Sequence, residues 1–252
     1  MKFLIIVGLI MIGLAAYLIA NDNPSSVIPS PTNVVSPIRQ TKSPIDASPS
    51  VSSAPTPRAR IIHDVAFISQ SPFAQWNDPR QQDGCEEASI LNAIHWIRGD
   101  SFISKEQALE ELLALSKFSE ERYGTYHDTS AADTIKFFPD YFQHDDVELR
   151  SVGTASDIVS EIRNGNLVIV PANGRRLLNP HFTAPGPEYH MLVVKGFDES
   201  TKEFITNDPG MSTRGVSYRY SYSVLFDAIA DYETGQHIPR VMTNKNMIVV
   251  SR

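Results

Sequence analysis

The sequence has one cysteine, Cys85, among its 252 residues. An internal disulfide therefore cannot form, and a leftover thiol in an exported protein is buried, paired with another molecule or reactive. Basic residues are also scarce: 22 lysines and arginines stand against 29 acidic residues, and they form no clustered run. Because a nucleic-acid partner requires a basic surface, we do not expect one.

Charge is absent from residues 3–20, a run of eighteen residues that follows Lys2. This length is at the lower end of what spans the hydrocarbon core of a membrane as a helix. We therefore predict a membrane anchor or export signal in residues 1–20. With Lys2 before the run and Asp22 after it, the rest of the chain is expected outside the cytoplasm on a single-pass anchor, or secreted if the segment is cleaved.

Glycine and aromatic residues are absent from residues 21–60, which contain eight of the seventeen prolines. Such a composition cannot form a core, so we predict a disordered, semi-extended tether rich in proline, serine and threonine. Residues 61–252 carry all of the aromatic residues except Phe3 and Tyr17. This remaining stretch has the size of one globular domain.

Apolar periodicity places most of the predicted helices early in the domain and most of the strands late. Helical spacing is found in residues 83–98, 104–118, 131–138, 155–165 and 221–232. Strand-like runs occupy residues 62–68, 146–152, 166–172, 189–197, 202–208, 215–221 and 247–252. Helices followed by strands predict an α+β architecture with a mostly antiparallel sheet.

The stretch QQDGCEEASILNAIHW places Cys85 in the first turn of a predicted helix, with Asp83 as the expected N-cap. A free thiol, with a pKa of about 8.5, is mostly protonated at neutral pH, and a helix N-terminus lowers that pKa. Glu86 and Glu87 would oppose this effect if their carboxylates faced the sulfur. We expect both carboxylates to point away.

A histidine that could exchange a proton with the thiol lies in the run YHMLVVKGF. If this run forms a hairpin with KEFITNDPG around a turn centred on Glu199, paired residues have an index sum of 398. His190 then lies opposite Asp208, on the same face of the sheet. A carboxylate in that position would fix the tautomer and orientation of the imidazole. A register shifted by one residue would substitute Asn207 on the other face.

The segments FISQSPFAQW, DGCEEASILNA, HMLVVKGFD and NDPG, in this order, resemble the papain-like cysteine peptidases of the bacteriocin-processing family, which is family thirty-nine in peptidase numbering. The similarity is greatest to stand-alone extracytoplasmic relatives and covers most of residues 62–240. It implies a papain-like fold and peptide-bond hydrolysis through an acyl-enzyme. In that family's pattern Cys85 is the nucleophile, His190 the proton carrier and Asp208 the orienting residue.

The resemblance also implies that a glutamine completes the oxyanion hole together with the backbone N–H of the cysteine. In the transporter-linked members this glutamine lies a few residues before the cysteine, where the present chain has Pro79 and no side-chain donor. Gln70 resembles the equivalent residue of the stand-alone relatives. The alternatives that remain are Gln75, Gln81 and Gln82.

Other interpretations of the same residues remain. A lone cysteine in a helix is often a small buried hydrophobe. A metal site made by Cys85, His181 and His190 is disfavoured because no two histidines have helical metal-ligand spacing and no second cysteine is present, so we expect no metal and no cofactor. The partners expected are a peptide or protein substrate and, through residues 1–20, a membrane. The alternatives to a peptidase are an acyl-transfer enzyme and a catalytically silent peptide-binding module of the same fold.

Overall fold

The computed structural model describes residues 59–239 and 244–252. The predicted anchor at residues 1–20 and nearly all of the tether lie outside these residues. The helices are α1 (Pro79–Gln82), α2 (Cys85–Arg98), α3 (Lys105–Tyr123), α4 (Ala131–Thr134), α5 (Phe137–Phe142), α6 (Ala155–Arg163) and α7 (Tyr222–Ala228). Within the described part of the chain, no helix is both long and apolar enough to cross a membrane.

Among the described residues, seven strands form one sheet, in which every pairing is antiparallel. They are β1 (Arg60–Ile62), β2 (Val147–Ser151), β3 (Leu167–Ala172), β4 (His190–Asp198), β5 (Glu203–Asn207), β6 (Tyr218–Ser221) and β7 (Asn246–Val250). Their order across the sheet is β2-β7-β3-β4-β5-β6, and β1 pairs with the far end of β4. The predicted α+β class with a largely antiparallel sheet is therefore confirmed.

The central strands are apolar on both faces, and side-chain alternation divides the core in two. In β3, Leu167 and Ile169 pack in the cluster that includes the apolar side of α2. Val168 and Val170 pack in the second cluster, with residues of α6 and α7. Because both faces of the central strands are covered, the strand ends are the places where polar side chains can reach a cleft.

All but one of the predicted elements are present, and two local details differ. The strand predicted at 62–68 is wrong beyond Ile62, because only Arg60–Ile62 pairs with the sheet as β1. The helix predicted at 131–138 is divided into α4 and α5. Helix α2 begins at Cys85 with Gly84 as its N-cap. The prediction of Asp83 as the N-cap is wrong because Asp83 ends α1 instead.

The hairpin of β4 and β5 contains an irregularity that the sequence pattern did not predict. Asp198 pairs with Glu203, so the turn takes up residues 199–202. Between Val194 and Gly196 the register shifts by one residue, as in a β-bulge. A Cβ at Gly196 would lie 2.5 Å from the backbone oxygen of Ile61. Glycine at this position therefore lets β1 approach β4.

Candidate active site

Cys85 opens the fourteen-residue helix α2. A Cβ on the preceding Gly84 would lie 2.6 Å from the backbone oxygen of Arg80, so glycine is required where α1 meets α2. The Cys85 side chain is 4% exposed, and it borders an open cleft. Because the first backbone N–H groups of a helix have no partner within it, they place partial positive charge near this sulfur.

The Glu86 carboxylate faces the sulfur, so the expectation that it points away is wrong. The Cys85 thiol donates a hydrogen bond to Glu86 Oε2 at 3.1 Å, and the Tyr232 hydroxyl donates to Glu86 Oε1 at 2.5 Å. All three side chains are buried. Side chains in a helix lean towards its N-terminus, which brings the carboxylate back to the cysteine instead of out to solvent.

Burial raises the pKa of the Cys85 thiol well above its ordinary value, and Glu86 adds to this increase through its charge and its hydrogen bond. Asp128 raises the pKa further, whereas a hydrogen bond from the backbone of Met191 lowers it. The expectation that the helix N-terminus would leave Cys85 with a depressed pKa is therefore wrong for this arrangement.

His190 and Asp208, which the sequence predicts as partners, are in contact. The Nε2 atom of His190 lies 2.9 Å from Asp208 Oδ1. The imidazole is 2% exposed and the carboxylate is fully buried. The ring of Phe182 meets the imidazole nearly at a right angle, with 5.3 Å between the ring centroids. Because Nε2 is engaged by the carboxylate, Nδ1 is the ring nitrogen left for proton exchange.

This contact forms in a register different from the predicted one. Val193 pairs with Asn207, an index sum of 400, so the predicted sum of 398 is wrong. Extending the observed register would set Gly210 opposite His190, and Asp208 then reaches the imidazole diagonally. Side chains alternate between faces with a period of two, so an error of two residues leaves both groups on the same face.

The Asp208 carboxylate is held by three hydrogen-bond donors. Besides His190, the Tyr220 hydroxyl donates to Oδ2 at 2.7 Å and the backbone N–H of Gly210 donates to Oδ1 at 3.1 Å. Asn179 in turn donates to the Tyr220 hydroxyl at 2.6 Å. Burial and the charge of Asp208 raise the pKa of Tyr220, so the phenol remains a neutral donor. This network fixes the carboxylate that holds the imidazole.

Cys85 and His190 line the same open cleft, which has a volume of about 950 Å³. The cleft wall also includes Arg175, which forms an ion pair with Glu188 at 3.2 Å. A cleft of this size, with a thiol and a carboxylate-held imidazole in its walls, can accommodate several residues of an extended peptide.

Gln70 also lines the cleft and is buried. Its amide nitrogen donates to the backbone oxygens of Gln81 at 3.1 Å and Gln82 at 2.7 Å. Its Oε1 atom is buried without a hydrogen-bond partner. Of the alternatives, the Gln81 side chain is bonded to Ser71 and Gln75, while Gln82 is exposed at the cleft. In this arrangement the Gln70 amide donates to backbone oxygens at the end of α1, just before the cysteine.

Two carboxylate–histidine pairs lie beside the cysteine. Asp83 accepts a hydrogen bond from His127 at 2.7 Å, and Asp128 pairs with His237 at 3.1 Å. Burial raises the pKa of Asp128. Donor atoms of Asp83, Asp128 and His237 come within 4.8 Å of one another, a spacing that would suit a cation. Because each carboxylate already has its own histidine, we interpret the group as two hydrogen-bonded carboxylate–histidine pairs and not as a metal site.

The sequence reasoning missed several residues that surround the site. Tyr220 had one usable signal, because it alternates with Tyr218 in a strand adjacent to β5. Tyr232 gave none, because its contact with Glu86 joins positions separated by 146 residues. Such contacts depend on how the segment after α7 packs against α2, which no local pattern predicts.

The described geometry can be compared with known proteins. A family model described as Peptidase_C39 like family matches residues 62–234. No curated protein matches the chain. Among solved structures, the chain is similar to the crystal structure of a candidate C39-like peptidase from Bacillus anthracis, with 14% identity and a TM-score of 0.47. That alignment covers 77% of this chain and 98% of the Bacillus chain.

Proposed function

The chain belongs to the Peptidase_C39 like family, and on that basis we propose that it is a cysteine peptidase acting on peptides or proteins outside the cytoplasm. The family resemblance of the sequence motifs is confirmed by the match. The observation that carries the proposal is the buried pair of His190 and Asp208, 2.9 Å apart, in the wall of the cleft that the single cysteine borders. A nucleophile, a base and an orienting carboxylate are the components of covalent acyl transfer.

In the proposed reaction, the Cys85 side chain turns from Glu86 towards Nδ1 of His190 when a peptide enters the cleft. The imidazole accepts the thiol proton, and Asp208 stabilises the resulting imidazolium through Nε2. The sulfur then attacks the peptide carbonyl carbon, and the carbonyl π electrons move to the oxygen. The N-terminal N–H groups of α2 are placed to stabilise that oxyanion, at about 3 to 4 kcal/mol for each well-aligned donor.

Collapse of the tetrahedral intermediate breaks the C–N bond, and His190 gives its proton to the leaving amine. This leaves a thioester on Cys85. A water molecule enters, His190 accepts one of its protons, and hydrolysis of the thioester restores the thiol. Gln70 contributes to the oxyanion hole in this proposal only after its amide leaves the carbonyls of Gln81 and Gln82 at the end of α1.

The proposal is tested with the purified full chain and a library of internally quenched peptides. We expect cleavage by the wild type and none by Cys85→Ala or His190→Ala. The matched control is His144→Ala, because His144 bonds a backbone oxygen near the chain end and lies outside the cleft wall. Cleavage that persists in Cys85→Ala would contradict the proposal.

An acyl-transfer enzyme or a silent peptide-binding module would use the same cleft. The silent module is favoured by one observation: the thiol is bonded to Glu86 and its pKa is raised. The same peptide experiment separates the possibilities. Transfer yields a product joined to an added amine, and a silent module binds peptides without a change in their mass.

We also propose that residues 1–20 attach the chain to a membrane and that residues 21–60 hold the peptidase domain away from it. The support is the uncharged run at residues 3–20 and the proline-rich composition that follows. Protease added to intact cells should degrade the domain while cytoplasmic proteins survive. Protection of the domain until the cells are lysed would contradict the external location.

A further inference from the structure

Glu86 contacts the sulfur of Cys85, the atom that reacts in the proposed mechanism. That mechanism assigns no role to Glu86. The Cys85 thiol donates to its Oε2 at 3.1 Å. Tyr232 holds the other oxygen, Oε1, at 2.5 Å. Glu86 and Tyr232 are 2% and 0% exposed, respectively. A carboxylate restrained at both oxygens cannot leave the sulfur without breaking a buried hydrogen bond.

Two negative charges in adjacent buried side chains cannot both form at ordinary pH, because the repulsion between them is poorly screened. An ionised Glu86 therefore prevents Cys85 from becoming a thiolate. A protonated Glu86 is neutral and can donate its own O–H to the sulfur, which favours the thiolate. The two groups consequently titrate as a coupled pair.

We propose that Glu86 limits the nucleophile: the Cys85 thiolate forms only while Glu86 is protonated, so the thiolate fraction stops rising with pH once Glu86 ionises. Glu86 is thus a further residue of the catalytic machinery, and its role in turnover rests on the proposed peptidase function. The contact that carries the inference is the one between Sγ and Oε2.

The groups that face Cys85 and Glu86 set the pH at which Glu86 ionises. Burial, with the charge of Asp128, raises the pKa of Glu86 to about 8, while the bonds from Tyr232 and Cys85 act in the opposite direction. Glu87, the next residue of the helix, has its own pKa raised by burial and by Glu86. Below pH 8 Glu86 therefore carries its proton, and above pH 8 it loses it.

The test uses iodoacetamide alkylation of the full chain between pH 5.5 and pH 10. Cys85 is the sole cysteine, so the rate reports this sulfur alone. In the wild type, the alkylation rate should rise with pH and level off near pH 8, because Glu86 ionises instead of Cys85. In Glu86→Gln, which has the same shape but no charge, the rate should keep rising. The variant should therefore react about tenfold faster at pH 9 and within twofold of the wild type at pH 6, as expected for loss of one coupled ionisation.

Two further variants keep the result interpretable. Glu87→Gln removes a buried carboxylate from the same turn and should retain the levelling near pH 8. Tyr232→Phe removes the hydroxyl that favours the ionised Glu86, so its plateau should move to higher pH. If Glu86→Gln does not fold, the pH of the Tyr232→Phe plateau tests the proposal instead.

The proposal is overturned if the alkylation rate of Glu86→Gln levels off as in the wild type or is slower than the wild type at pH 9. It is also overturned if the plateau of Tyr232→Phe stays at the same pH or moves to lower pH. Alkylation requires no peptide turnover, so this result is independent of whether the chain cleaves peptides. If the library shows no cleavage but the alkylation profiles differ as described, the peptidase function fails while the control of Cys85 by Glu86 stands.

Discussion

Asp208 is the residue whose surroundings specify its role most closely. It is fully buried, and each of its carboxylate oxygens accepts at least one hydrogen bond. Buried carboxylates are costly unless they are fully bonded, and the bonds here come from an imidazole, a phenol and a backbone N–H. Such a carboxylate holds the imidazole in one orientation and can compensate the charge that the imidazole would gain in the proposed reaction.

We expect Asp208→Asn to lower kcat/KM on the best library peptide by about 10² to 10⁴-fold, because an amide can hold the imidazole in the wrong tautomer and cannot stabilise its charge. Steady-state kinetics measure this effect. The control is Asp145→Asn, the same change at an exposed aspartate, which should keep full activity. An Asp208→Asn variant as active as the wild type would remove Asp208 from the mechanism.

At the level of elements, the start of helix α2 contains a buried carboxyl group, that of Glu87, whose ionisation is unfavourable. Glu87 is 1% exposed, and neither of its carboxylate oxygens has a hydrogen-bond partner. Burial, followed by repulsion from Glu86, raises its pKa well above the ordinary value. A carboxyl group whose pKa is raised by folding stabilises the protein below its unfolded pKa, and that contribution is lost as the pH rises towards the folded pKa.

Glu87→Gln should therefore stabilise the protein at pH 8 and have little effect near pH 4.5. Each unit by which folding raises the pKa corresponds to about 1.4 kcal/mol, so we expect the free energy of unfolding at pH 8 to increase in proportion to that rise. Urea denaturation at the two pH values measures the change. Glu110→Gln, an exposed site in α3, should change stability by less than about 0.5 kcal/mol at either pH. A destabilised Glu87→Gln at pH 8 would show that the carboxylate has a stabilising role.

The loop after β5 positions Asp208 through a close backbone contact. The N–H of Asp208 donates to the backbone oxygen of Gly215 at 3.0 Å. A Cβ on Gly215 would lie 1.8 Å from the backbone oxygen of Asp208, a distance that no rearrangement of side chains could relieve. The segment Pro209–Gly215, which is kinked at Met211 and Ser212, can therefore close against Asp208 only with glycine at its end.

Gly215→Ala should lower the free energy of unfolding by about 1 to 3 kcal/mol, the usual cost of overpacking. Urea unfolding monitored by tryptophan fluorescence checks this value. Gly153→Ala is the matched control, because its new Cβ would meet only the Asp157 carboxylate, at 3.4 Å. Equal stability of Gly215→Ala and the wild type would mean that the loop has another conformation available.

For the molecule as a whole, the sequence predicts the elements and the contact between His190 and Asp208, but not the state of the thiol. Apolar periodicity and turn residues are local signals, so they locate helices and strands within a few residues. The predicted contact between His190 and Asp208 holds despite a register error of two residues, because side-chain alternation keeps both residues on the same face of the sheet. The bond between Tyr232 and Glu86 depends on long-range packing. The burial of the sulfur depends on the same packing. The sequence pattern therefore predicts which residues meet in the cleft, whereas their protonation depends on tertiary contacts.

The division of the chain into anchor, tether and domain remains a prediction that proteolysis can test. Arg39, Lys42 and Arg58 offer trypsin sites in the proline-rich segment, and a segment without a core exposes such sites. Brief trypsin treatment of the full chain should cut there first and leave a stable product that begins near residue 59. Because residues 61–252 contain nearly all of the aromatic residues, this product should have the same urea midpoint as the full chain. Early cuts within residues 61–252, or a lower midpoint after cleavage, would mean that the preceding segment contributes to the folded domain.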